Sequence, residues 1–123
     1  MKVKILLATV IAGVFLLYFA ACTKHNAVES GGGGCDTTNV SYSNQVLPIL
    51  QDYCYGCHRG PGASSGIDFS NYDAFKGWAQ SGYLAGDITA APGSTPMPYG
   101  GPPLSACDVN IILAWINQGT ANN

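Results

Sequence analysis

Cys54, Cys57 and His58 stand together in the stretch "YCYGCHRG". Two thiols three positions apart with an imidazole directly behind them are suited to three chemistries. They can bind zinc, run a thiol–disulfide exchange, or carry a covalently attached haem. A structural zinc site needs four ligands, usually as two close pairs. The remaining candidates are Cys35, Cys107 and His25, and none of them forms a second close pair. A thioredoxin-like redox pair needs a strand before it and a helix after it. Here the segment before Cys54 reads as helical, and glycine and proline follow His58. A simple Cys54–Cys57 disulfide leaves His58 without a role. Haem attachment uses all three residues. The thiols add to the vinyl groups as thioethers, and the histidine follows as an iron ligand.

The compartment is legible at the other end of the chain. Lys2 and Lys4 precede an apolar run over 5–21, which closes in "FAAC" at Cys22. A basic start, an apolar middle and a small-residue end describe an export signal. The ending is similar to a bacterial lipobox, which implies lipidation of Cys22 as the new N-terminus. Phe19 departs from that pattern, which more often has an aliphatic residue there. An uncleaved membrane helix is the alternative, although the run is slightly short for the roughly 20 residues that span a bilayer. Either way the domain sits outside the cytoplasm, tethered to a membrane and facing the periplasm or the cell surface. The expected organisation is a signal peptide over 1–21, a flexible tether over 22–34 ending in "SGGGG", and a folded domain over 35–123.

Beyond the signal, Lys24, Arg59 and Lys76 face Glu29, Asp36, Asp52, Asp68, Asp73, Asp87 and Asp108. An acidic domain argues against nucleic acid as a partner and is compatible with a basic protein partner. A domain of about 90 residues is small for a self-sufficient core, so a cofactor or a disulfide would help it fold.

The positioning elements read as all-α. Periodicity predicts helices over 43–53, 71–80 and 106–118. Pro48 fits the first only if it lies in a first turn. Ser70 with Asp73 opens the second, and Ser105 with Asp108 opens the third. Ile111, Ile112, Trp115 and Ile116 make one apolar stripe, read as core. Between the last two helices, the segment 86–103 holds five of the seven prolines and reads as a stiff, shaped loop.

At this point "CYGCH", the helix before it, the loop "STPMPYGG" and the terminal helix "LSACDVNIILAWINQG" together resemble the class I c-type cytochromes. "GIDFSNYDAF" adds to a narrower likeness to small bacterial monohaem cytochrome lipoproteins. The resemblance implies a bundle of about three helices wrapped around one haem c. It also implies thioethers at Cys54 and Cys57, His58 as one axial ligand, and a late-loop methionine opposite. The short domain and the extra Cys35 and Cys107 depart from the family pattern.

With Met1 removed, Met97 is the remaining methionine. A lone methionine commonly fills a core gap. Met97, however, lies between Pro96 and Pro98, which fix φ on either side and aim the side chain. The expected ligand pair is therefore His58 and Met97, with the ring N–H of His58 donating to the Pro61 carbonyl, as the resemblance implies. Arg59 would pair with a haem propionate or stay solvated. Trp78, Tyr83 and Tyr99 would line the haem or donate to propionates, with packing the plainer role for Trp78. In an exported protein, Cys35 and Cys107 are expected to pair; the alternative is a buried thiol at Cys107 and a loose one at Cys35.

Two strong axial ligands leave no position for substrate, and no nucleophile–base pair stands elsewhere in the sequence. The expected role is non-enzymatic. It is a tethered carrier of single electrons between donor and acceptor redox proteins. The alternatives are a haem-based sensor or ligand-binding module, and an electron-entry subunit of a larger oxidoreductase complex.

Overall fold

The computed structural model describes residues 35–123. The expected signal peptide, the tether and Cys22 lie outside the described residues. Four α-helices, one wide π-type turn and one short 3-10 turn make up the regular structure, and no strand occurs among the described residues.

The chain enters the first helical element at Ser41, whose side-chain oxygen accepts the Asn44 N–H. A wide turn, Tyr42–Val46, leads into α1, Leu47–Tyr53. Pro48 falls in the first turn of α1, where its missing N–H costs little. The wide turn thus lets the helix begin ahead of a proline that would otherwise break it. Val46, Ile49 and Leu50 are buried and Leu47 packs against them.

Helix α2, Tyr72–Gln80, begins one residue later than the sequence pattern suggests. Asn71, not Ser70, is its N-cap and accepts the Ala74 N–H at 3.1 Å. Ser70 instead donates its hydroxyl to Asp68, whose carboxylate also accepts the Ser70 N–H. Asx and Ser caps are nearly equivalent energetically, so adjacent candidates are separated only by the backbone they follow. Gly82, at φ 86, turns the chain into α3, Tyr83–Thr89. This helix is the main difference from the expected arrangement of about three helices, since its second half lies in the segment read as loop. Leu84 and Ile88, four residues apart, turn one face inward, with Leu84 buried and Ile88 packed on the core.

Helix α4, Ala106–Asn117, starts as its sequence indicates. The Ser105 hydroxyl accepts the Asp108 N–H at 3.1 Å and donates to the Asp108 carboxylate at 2.7 Å. Ile112 and Trp115 are buried, with Ile111 and Ile116 packed beside them. Helix α4 packs on the wide turn and on α3, and α2 packs on α3.

The core is largely aromatic. Phe75 of α2 stacks on Trp115 of α4 with ring centroids 5.3 Å apart. Tyr42 leans on Trp115 at 5.5 Å and meets Tyr72 edge-on at 4.9 Å. Phe69 meets Phe75 edge-on at 5.1 Å. Such pairs contribute beyond their burial, about 0.5–1.5 kcal/mol each.

The two ends of the domain are tied together. Ser43 N–H donates to the Asn123 carbonyl at 2.9 Å, and Tyr42 N–H to the Asn123 side chain at 2.8 Å. Gln118 donates to Thr37 and accepts from Val40. Cys35 and Cys107 form a disulfide, with Cα atoms 5.5 Å apart and a sequence separation of 72.

Two outcomes follow from this arrangement. Closing so long a loop stabilises by roughly 4 kcal/mol in the chain-entropy model. Replacing both Cys35 and Cys107 with serine is expected to lower the unfolding free energy by about that amount in urea titration; an unchanged midpoint would show that the bridge contributes nothing. The second outcome concerns pH. Burial pushes the Tyr42 hydroxyl up to about 12, with the neighbouring Tyr55 and Tyr72 adding to the rise. The folded state then holds the proton that the unfolded chain releases near pH 10. Stability is full below about pH 10 and falls as pH approaches 12. Tyr42→Phe is expected to flatten that fall.

Candidate functional site

Cys54 caps the C-terminus of α1, its N–H donating to the Leu50 carbonyl. The chain then turns tightly, with Cys57 N–H and His58 N–H both donating to the Cys54 carbonyl, at 3.1 and 2.8 Å. This coil brings the two thiols and the imidazole into one short arc. The Cys57 carbonyl accepts from Ser64 N–H, and the His58 carbonyl accepts from Phe69 N–H at 2.9 Å. The C-terminal end of the arc is therefore pinned to the following segment at two adjacent residues. Asp68 helps brace that segment. The Ser70 hydroxyl, with the Gly60 and Ser70 backbone N–H groups, holds its carboxyl below the usual range.

His58 is fixed in two ways. Its ring stacks on Phe69 at 4.9 Å, and Phe69 is itself packed edge-on against Phe75. Its Nδ1 lies 3.2 Å from the Ile67 carbonyl. A carbonyl can only accept, so Nδ1 carries the proton and Nε2 keeps its lone pair for a ligand role. The partner is thus Ile67, not the Pro61 carbonyl expected from family resemblance. The excursion over 60–66 brings the chain back past the imidazole, so the carbonyl nearest in space lies nine residues on rather than three.

Cys54, Cys57, His58 and Met97 all line one cavity of about 590 Å³. That volume lies within the range of small-molecule and cofactor sites. Trp78, Tyr83 and Tyr99 line it as well. Trp78 stacks on Tyr83 at 5.0 Å, so its role includes packing. Arg59 points elsewhere, with its guanidinium 5.5 Å from the centre of the Tyr55 ring. Leu84 and Ile88 of α3 contribute apolar wall. Among the sequence candidates, Cys54, Cys57, His58 and Met97 are brought to one cavity, and the Cys35–Cys107 pair stands apart as a bridge.

The two site thiols are free and differ in character. Cys57 is exposed, whereas Cys54 is half-buried, and burial pushes its thiol up to about 11. A redox or nucleophilic cysteine needs the opposite shift, towards the thiolate. Among the described residues, no group of three or more His, Cys, Asp or Glu side chains is placed to hold a metal ion. The cavity wall thus offers two free thiols, one imidazole and one thioether sulfur.

Sequence reasoning missed two contributors. Phe69 carries no signal of its own in the sequence, and its burial beside His58 depends on the return of the chain over 60–69. Asp87, in α3, also lines the cavity. The Leu84–Ile88 spacing was the available signal for its helix.

No family model, curated protein or solved structure matches this chain.

When both site thiols are free, brief iodoacetamide treatment of the folded protein at pH 8 is expected to label Cys57 about tenfold or more faster than Cys54. Peptide mass spectrometry reads the ratio, and equal labelling would contradict the burial of Cys54.

Proposed function

We propose that this protein is a membrane-tethered monohaem c-type cytochrome, carrying single electrons between donor and acceptor redox proteins outside the cytoplasm. The observation that carries this reading is the shared cavity: Cys54, Cys57, His58 and Met97 all line it. The lipid anchor at Cys22 and the tether over 22–34 supply the membrane attachment in this reading.

Cys54 and Cys57 would hold the haem as thioethers, and His58 Nε2 and the Met97 sulfur would hold its iron. Bound in this way, the group supplies reversible one-electron transfer at its iron, at a potential raised by the methionine. The contribution of the chain is to hold these donors still. The Ile67 carbonyl fixes the His58 tautomer and orientation, and the Phe69 ring fixes its plane. The apolar side chains Leu84, Ile88 and Leu104 line the same cavity and would shield the bound group from water. The exposed tyrosines Tyr53, Tyr83 and Tyr99 also line the cavity, where a partner protein would approach. A rigid site of this kind lowers the reorganisation that accompanies electron transfer.

Expression with haem-maturation machinery tests the reading. The protein is expected to carry a single haem that survives acid–acetone extraction, and Cys54→Ala with Cys57→Ala is expected to lose it. The ferric wild type is expected to show the far-red methionine–iron band, and the ferrous form to resist carbon monoxide. Met97→Ala should remove the band, lower the potential and open the iron. Haem that extracts freely, or none at all, would overturn covalent attachment. Rapid carbon monoxide binding by the wild type would favour the sensor reading instead.

A further inference from the structure

Resting on the reading of Met97 as an iron ligand, we infer that Asp87 is the positioning residue that holds Met97 in place. The segment Thr95, Pro96, Met97, Pro98 has two backbone N–H groups, because proline has none. Both are donated to the same residue. Thr95 N–H donates to the Asp87 carboxylate Oδ1 at 3.2 Å. Met97 N–H donates to the Asp87 main-chain carbonyl at 3.0 Å. One residue of α3 thus receives every backbone donor of the methionine segment, and Asp87 and Met97 line the same cavity.

The placement of Asp87 supports a purpose beyond its own helix. It lies in the last turn of α3, where the helix dipole disfavours an anion. A residue that breaks a local rule is expected where a non-local contact compensates. Here that contact is the Thr95 N–H, eight residues on. The rest of the loop is seated on the same helix end. Ser94 donates its hydroxyl to the carbonyls of Gly86 and Ala91, at 2.9 and 2.7 Å. Methionine itself is flexible, with three rotatable bonds, so the position of its sulfur depends on how firmly its backbone is held. Removing the carboxylate leaves the main-chain bond but frees Thr95. The loss of a hydrogen bond to a charged group raises the open population of the loop about tenfold or more.

The test uses the haem-loaded protein, comparing wild type with Asp87→Ala, Asp87→Asn and Asp87→Glu. All four are expected to carry acid-stable haem, because Asp87 does not hold the thioethers. Asp87→Ala is expected to weaken the far-red methionine band and to raise the carbon monoxide affinity of the ferrous form about tenfold. Asp87→Asn is expected to stay near wild type, since its amide oxygen can still accept the Thr95 N–H. Asp87→Glu keeps the charge but displaces the oxygens by a methylene, and is expected to open the iron partway. It also stands in for the alanine variant if that protein does not accumulate. A wild type with the band, beside Asp87→Ala or Asp87→Glu proteins whose band and carbon monoxide affinity are unchanged, overturns this inference alone, even if their unfolding midpoint falls. A wild type without acid-stable haem or without the band overturns the ligation reading, and the inference with it.

Discussion

The stack of Phe75 on Trp115 is the contact on which the rest of this structure depends. It joins α2 to α4 at full burial of both rings. Tyr42 closes over it from the wide turn, and Phe69 abuts it on another side. Phe69 carries the His58 ring. The imidazole is thus the outer member of a continuous aromatic series that begins in the core. In a domain this small, where buried area is limited, a few large rings supply what many aliphatic contacts supply in a larger protein. The His58 ring inherits its rigidity from that packing.

Around this stack the site is assembled from two separate segments. One is the arc from Cys54 to His58, wound on the end of α1 and pinned by backbone bonds to Ser64 and Phe69. The other is the proline-rich segment with Met97, seated on the end of α3. Neither segment has much core of its own. Each is held by hydrogen bonds from loop backbone to a neighbouring helix end or loop, which is how irregular chain satisfies its polar groups near a core. Among the described residues no buried side-chain nitrogen or oxygen lacks a hydrogen-bond partner.

The ends of the domain carry a comparable constraint. The disulfide, the Asn123 contacts and the Gln118 contacts all join the start of the domain to its last helix and tail. Opening either end therefore disturbs the wide turn and Tyr42, and through Tyr42 the central stack. The cleft lined by the site residues lies in a domain whose ends are locked while its interior retains a cavity of about 590 Å³.

The sequence by itself determined the all-helical class, the start of α4 at Ser105 and the spacing of Cys54, Cys57 and His58. These are local matters: hydrophobic period, cap chemistry and the reach of neighbouring side chains act within a turn or two of chain. Pairing of Cys35 with Cys107 was also an expectation of the sequence, from cysteine parity and the export signal read at its start, and the two form a disulfide in the structure. Tertiary structure alone decided the rest. Helix α3 was hidden because its seven residues are too few to display a clear period and it runs into a proline-rich stretch. Asn71 took the cap from Ser70 because the helix begins at Tyr72, which puts Asn71 and not Ser70 directly ahead of its first turn. The His58 ring found the Ile67 carbonyl in place of that of Pro61 because the intervening loop doubles back, a path that no residue spacing encodes. Asp87 reads in the sequence as one more surface acid. Its bonds to Thr95 and Met97 exist only because the loop folds back onto the end of its own helix.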